Sequence, residues 1–179
     1  MLTRNLTAYD MKRYEEDIAQ CYLENLQIMD SQSMLDISNR DTLFDYLFGL
    51  LEDNESNIEG IFDDSEKFLY GLIIYDGIRV TNDGNAAQLH LAVCRELWGR
   101  RIREILKEAL DNTFFDVLYC MIPAFCRPTI ALVKTLGFKK TGYIPKALPY
   151  VNLKGEEKMY DEYVFSWVKD GNRESEVPF

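Results

Sequence analysis

Leu89-His90-Leu91-Ala92-Val93-Cys94-Arg95-Glu96-Leu97-Trp98-Gly99-Arg100-Arg101-Ile102-Arg103-Glu104-Ile105-Leu106 is the stretch on which the fold turns. Its first part has period two. Ala87, Leu89, Leu91 and Val93 alternate with Gln88, His90, Ala92 and Cys94, the pattern of a half-buried strand. After Gly99 the period becomes helical, and Ile102, Ile105, Leu106, Ala109 and Leu110 form one apolar stripe. A glycine therefore stands where strand gives way to helix. A helix start of this kind exposes backbone N–H groups that attract anions, and glycine lets the backbone approach a ligand closely.

Outward from this centre the same reading gives the remaining elements. Upstream, Leu2 to Leu6 reads as a short strand, with Asp10 as the cap of a helix carrying Tyr14, Ile18, Cys21, Tyr22 and Asn25 at helical spacing. Asp41 opens a second helix with Leu43, Phe44, Leu47, Phe48 and Leu51. Asn57 to Phe62 and Phe68 to Tyr75 read as strands joined by Asp63-Asp64-Ser65-Glu66. Downstream, Phe114 to Ile122 is an apolar run of buried-strand type, and Arg127-Pro128 starts a helix that Gly137 ends. Lys139 to Ile144 and Lys158 to Trp167 close the chain as strands around Asn152-Leu153-Lys154-Gly155. The order β-α-α-β-β-β-α-β-α-β-β predicts an α/β (α+β) fold with a mixed sheet between helices, a single domain over 1–170 and a short polar tail over 171–179.

The chain's 179 residues suit one core rather than two. A net charge of −10 argues against non-specific nucleic-acid binding and against an anionic membrane surface. The N-terminal residues lack a signal-peptide core and no apolar run reaches membrane-spanning length, so the sequence predicts a cytoplasmic protein that is not secreted. Cys21, Cys94, Cys120 and Cys126 form no C-x-x-C pair, and His90 is the only histidine. Buried reduced thiols are expected, and no metal site.

The strand, glycine and helix around Leu89–Leu106, with Cys126–Phe138 ending in Leu136-Gly137-Phe138, resemble the GNAT superfamily of N-acetyltransferases. The resemblance implies a mixed, mostly antiparallel sheet flanked by helices. It also implies an acetyl-CoA site whose pyrophosphate rests on the helix start, and so assigns the cofactor to Val93, Gly99, Arg100, Arg101, Ile102 and Arg103. The family pattern Arg/Gln-x-x-Gly-x-Gly/Ala is departed from here: its small residues fall on Arg101 and Arg103, and its leading residue on Trp98. The family's frequent Asn at the later helix falls on Cys126, and its proton-donating Tyr on Val133. For the base near the fourth strand only His90 and the more remote Glu96 are candidates.

Because cofactor and proton-transfer positions change together, this pattern favours a non-catalytic binding or assembly protein with a degenerate acetyl-CoA site and no cofactor. It resembles degenerate GNAT-like virion and morphogenesis proteins of bacteriophages, found in the host cytoplasm or the assembled virion. The alternative is an acetyl-CoA-dependent N-acetyltransferase acting on an amine of a small molecule, a peptide N-terminus or a lysine. Each candidate residue also has a plain structural reading. Arg100, Arg101 and Arg103 make a solvated face balanced by Glu96, Glu104 and Glu108, His90 a hydrogen-bonding strand residue, and Cys126 a packed thiol. Residues 1–70 hold 16 acids against 5 bases, whereas residues 71–179 hold 14 against 15. The N-terminal helices are therefore expected to offer an acidic face to a cationic substrate or a basic protein partner.

Overall fold

A computed structural model describes residues 1–32, 39–151 and 157–169. The expected Asn152–Gly155 connection and the polar tail over 171–179 lie outside the described residues. The elements are β1 (Leu2–Asn5), α1 (Ala8–Arg13), α2 (Glu15–Gln32), α3 (Arg40–Glu52), β2 (Asn57–Phe62), β3 (Leu69–Thr81), β4 (Gly84–Val93), a 3-10 turn (Arg95–Leu97), α4 (Arg100–Asn112), β5 (Val117–Pro123), α5 (Arg127–Thr135), β6 (Lys139–Val151) and β7 (Glu157–Val168). The strands form one seven-stranded sheet in the order β1-β2-β3-β4-β5-β7-β6. Every pairing is antiparallel except β4 with β5, so the sheet is mixed and mostly antiparallel, with helices on both faces. No helix among the described residues is long and apolar enough to cross a membrane.

Local chemistry corrects several sequence expectations. Thr7, not Asp10, caps α1: its hydroxyl accepts from the Asp10 N–H while the Asp10 carboxylate accepts from the Thr7 N–H, a reciprocal capping box. Asp10 sits one turn inside, buried and held by the two terminal guanidinium nitrogens of Arg4 at 2.9 and 3.0 Å. The first helix breaks at Tyr14, whose hydroxyl donates to the Glu66 carbonyl at 2.6 Å and whose ring packs edge-on against Phe62. β3 runs to Thr81 rather than ending at Tyr75. Asp76-Gly77 begins a bulge, with Gly77 at φ 57°, and the pairing with β4 resumes at Arg79. β5 begins at Val117, because Phe114 and Phe115 belong to the approach from α4, where the Phe115 ring meets Tyr75. β6 continues past Ile144 through a second irregularity, where the Asp161 carboxylate accepts from the Lys146 N–H and the Tyr143 hydroxyl.

The two faces of the sheet follow from register. Gly60, Leu72 and Ala92 lie in one row. A side chain at Gly60 would collide with Leu6 and Phe62, and Phe62 carries Tyr14, so this face is covered by the N-terminal helices. Tyr75 and Leu89 lie on the opposite face, with Phe115 and α4. The α4 stripe predicted from period is buried as Ile102, Ile105, Leu106 and Leu110. All four cysteines are free and buried.

Candidate active site

The site begins where the one parallel ladder stops. β4 and β5 pair only at Ala86–Val117, Ala87–Leu118 and Gln88–Tyr119. Beyond this point Leu89–Val93 and Cys120–Pro123 diverge into a V. Each strand is held away from the other: β5 is paired along its far edge to β7 from Val117 to Pro123, and β4 stays on β3 to its last residue. The Cys94 N–H donates to the Tyr70 carbonyl, so the even-numbered residues of β4 turn their backbone groups toward β3. By alternation, the amides of Leu91 and Val93 face the V.

The cleft in the V is lined by Leu89, His90 and Leu91 of β4 and by Cys120 to Pro123 of β5. Leu106 and Leu110 of α4, Thr129, Leu132, Val133 and Leu136 of α5, and Phe138 complete it. The lining strand residues belong to both faces, Leu89 and Cys120 to one, His90 and Met121 to the other. The gap therefore passes through the sheet. Its cavity volume is about 80 Å³. A second groove, lined by Trp98, Gly99, Arg100, Ile102 and Arg103 of the α4 start and by Pro128, Ala131, Leu132 and Thr135 of α5, adjoins the first at Leu132.

At the head of that groove Gly99 is the N-cap of α4 at φ 99°, ψ −131°, a region open only to glycine without strain. No atom lies within 4 Å of where its Cβ would stand. No side chain caps the helix and no acid occupies its first turn. Arg100 is engaged by Glu104 at 2.7 Å. Arg103 lines the groove, with no ion-pair partner among the described residues, whereas Arg101 is exposed and lines neither groove nor cleft. Val93 is wholly buried, and its carbonyl accepts from Asn25 Nδ2 at 2.7 Å.

His90 lies on the face of the N-terminal helices, and its Nε2 is buried without a hydrogen-bond partner. Burial lowers its pKa from the ordinary 6.5, opposed in part by the charge of Asp76, so the ring is neutral near pH 7 and able to accept a proton. Glu96 belongs to the exposed 3-10 turn past the strand and lines neither groove nor cleft. The Cys126 thiol, buried at the α5 N-cap, is pushed up to about 11 by burial and is not a thiolate at neutral pH.

Asn25 was legible only as one residue of an apolar stripe. In the fold it is buried and its amide bridges the Cys21 and Val93 carbonyls, both at 2.7 Å. The neighbouring Glu24 accepts from the Arg95 N–H at 2.5 Å. Together they fasten α2 to the end of β4. The one available signal was a polar residue on the buried side of a helix, which calls for a partner.

No protein-family model matches the sequence, and a search of curated proteins gives no match. Solved structures do match. A spermidine N-acetyltransferase from Vibrio cholerae, in complex with CoA and spermine, superposes with a TM-score of 0.72 at 16% identity, over 93% of this chain and 94% of that one. The ribosomal-protein-S5-alanine acetyltransferase from Vibrio fischeri gives 0.68 at 16% identity, over 94% and 93% of the two chains. These superpositions, at low identity over nearly the whole chain, show that this chain has the GNAT fold.

Proposed function

We propose that this chain is a CoA-dependent N-acyltransferase acting on an amine. The observation that carries the reading is the cleft that opens where β4 and β5 part and continues into the groove at the start of α4. On this reading a CoA thioester would follow that path. The open backbone at Gly99 and the uncapped α4 amides would take its pyrophosphate, with Arg103 adding charge. The amides of Leu91 and Val93 would pair with the pantetheine arm. When bound, the thioester supplies an activated acyl carbonyl. The β4 amides hold that carbonyl in the gap, and His90, on the opposite face, accepts the proton of the incoming amine. Val133 cannot donate a proton to the departing thiolate.

The neighbours named above are acetyltransferases and no phage component is among them, so the non-catalytic assembly reading draws no support from them. What still favours it is local: Arg101 and Arg103 stand where the family pattern has small residues. Isothermal titration with CoA and acetyl-CoA separates the two. Micromolar binding, weakened about tenfold or more by Arg103→Glu and barely changed by Arg101→Glu, is the expected result. No binding at millimolar cofactor removes the enzyme reading.

A further inference from the structure

We infer that Asp76 is the positioning residue of the proposed base, holding a carboxylate beside His90 to support the charge that the imidazole gains from the amine. The inference rests on the acyltransferase reading above. Register places the two residues on one face. Ile74 of β3 stands opposite His90, and Asp76 stands opposite Gln88. Asp76 and His90 are therefore diagonal neighbours, about 7–8 Å apart at Cα and within reach of long side chains. The carboxylate is also fixed. Ser56 Oγ donates to Asp76 Oδ1 at 3.0 Å and the Gly77 N–H donates to it at 2.7 Å. The bulge that starts here is the kind of irregularity that re-aims a side chain beside a site. Both bonds fall on Oδ1, and Oδ2 takes none among the described residues.

His90 needs such a neighbour. It lines the cleft, yet its Nε2 is buried and unbonded, and a desolvated imidazolium is costly without a counter-charge. As the amine nitrogen bonds to the acyl carbon and the carbon–sulfur bond breaks, the displaced amine proton goes to His90. The thiolate is protonated from solvent, to which His90 later returns its proton. Burial weakens the imidazole as a base, and the Asp76 charge opposes that effect. The other groups around the ring supply no such charge beside it. Tyr22 of α2 and Tyr46 of α3 are pushed up by burial and stay neutral. Asp17 and Glu24 of α2 accept from the Leu69 and Arg95 amides. On this face β5 brings Tyr119 and Met121, and β7 brings the buried Glu162, two strands away from β4.

His90 is the only histidine, so the full chain gives a single imidazole Cε1–H signal in proton NMR. Asp76→Asn keeps an oxygen for Ser56 and Gly77 and removes only the charge. The titration midpoint of the His90 signal should then fall by ~1 unit. The acid limb of kcat/KM should move down with it, while CoA affinity holds; acetyl-CoA with n-butylamine, a short peptide and a blocked lysine as acceptors reads this. Asp76→Ser replaces the first variant if that does not fold, and Asp76→Glu, which restores the charge, should recover part of the shift. An unchanged midpoint, a larger fall in Glu162→Gln, or an acid limb that stays in place overturns the inference and spares the acyltransferase reading. Failure of the wild type to bind CoA or to acylate any of these amines overturns that reading and the role of Asp76 with it, even where the midpoint falls.

Discussion

At the scale of single residues, the side chains that matter most are polar groups placed where water cannot reach them. Asp10 is held to about 2, well below its ordinary 3.8, first by its hydrogen bonds from Arg4. Its stabilising contribution is present above pH 3.8 and is lost as the pH falls through about 2. Asp10→Asn should therefore lower stability at pH 7 by on the order of 2 kcal/mol. In urea titrations the gap between variant and wild type should close on acidification to pH 2. Asn25→Leu should cost about 1–3 kcal/mol, because it orphans the buried Cys21 and Val93 carbonyls. It should also loosen CoA binding by freeing the end of β4. His90→Gln should cut kcat by roughly 100-fold with CoA affinity unchanged. Wild-type kcat should stay level above pH 6.5 and fall only on the acid side, since burial lowers the imidazole pKa.

Among the elements, β4 and the start of α4 frame the cleft and the groove beside it. Gly99 adopts a backbone conformation that a side chain strains, although nothing stands in the way of one. Gly99→Ala should therefore lose about 1–3 kcal/mol through backbone strain alone, and it should weaken CoA binding more than it weakens the rest of the fold. Thermal melts with and without CoA measure both effects. The alternation along β4 makes a further prediction, read by hydrogen exchange. The Leu91 amide, which faces the V, should exchange faster than those of His90 and Ala92, which face β3, and CoA should slow it selectively.

For the whole molecule, charge is divided along the chain, but folding redistributes it. Part of the N-terminal acid is used internally: Glu15 and Glu16 by Arg40, Asp17 by the Leu69 amide, Glu24 by the Arg95 amide and Asp10 by Arg4. Asp41, Asp45 and Glu52 remain exposed on α3. If this face borders the acceptor route, a cationic amine should associate several-fold more slowly in 0.5 M salt than in ~0.02 M, while a neutral amine should show little change. Stopped-flow binding with a matched pair of amines reads the difference.

The sequence by itself determined the element order, the switch from period two to helical period at Gly99, the buried stripe of α4 and hence the fold class. These are local patterns, each written within one segment. It did not set the boundaries at Asp76-Gly77 or Tyr14, because a bulge and a helix break depend on what packs against them. It named His90 and Gly99 as candidates and drew Arg101 into the same site as Arg103. Only the tertiary structure separated those two arginines around the α4 axis, brought Asn25 to Val93 across the fold, and parted β4 from β5. The physical reason is that a cleft between strands is made by the pairings that stop, and no stretch of one chain segment records where its partner leaves it.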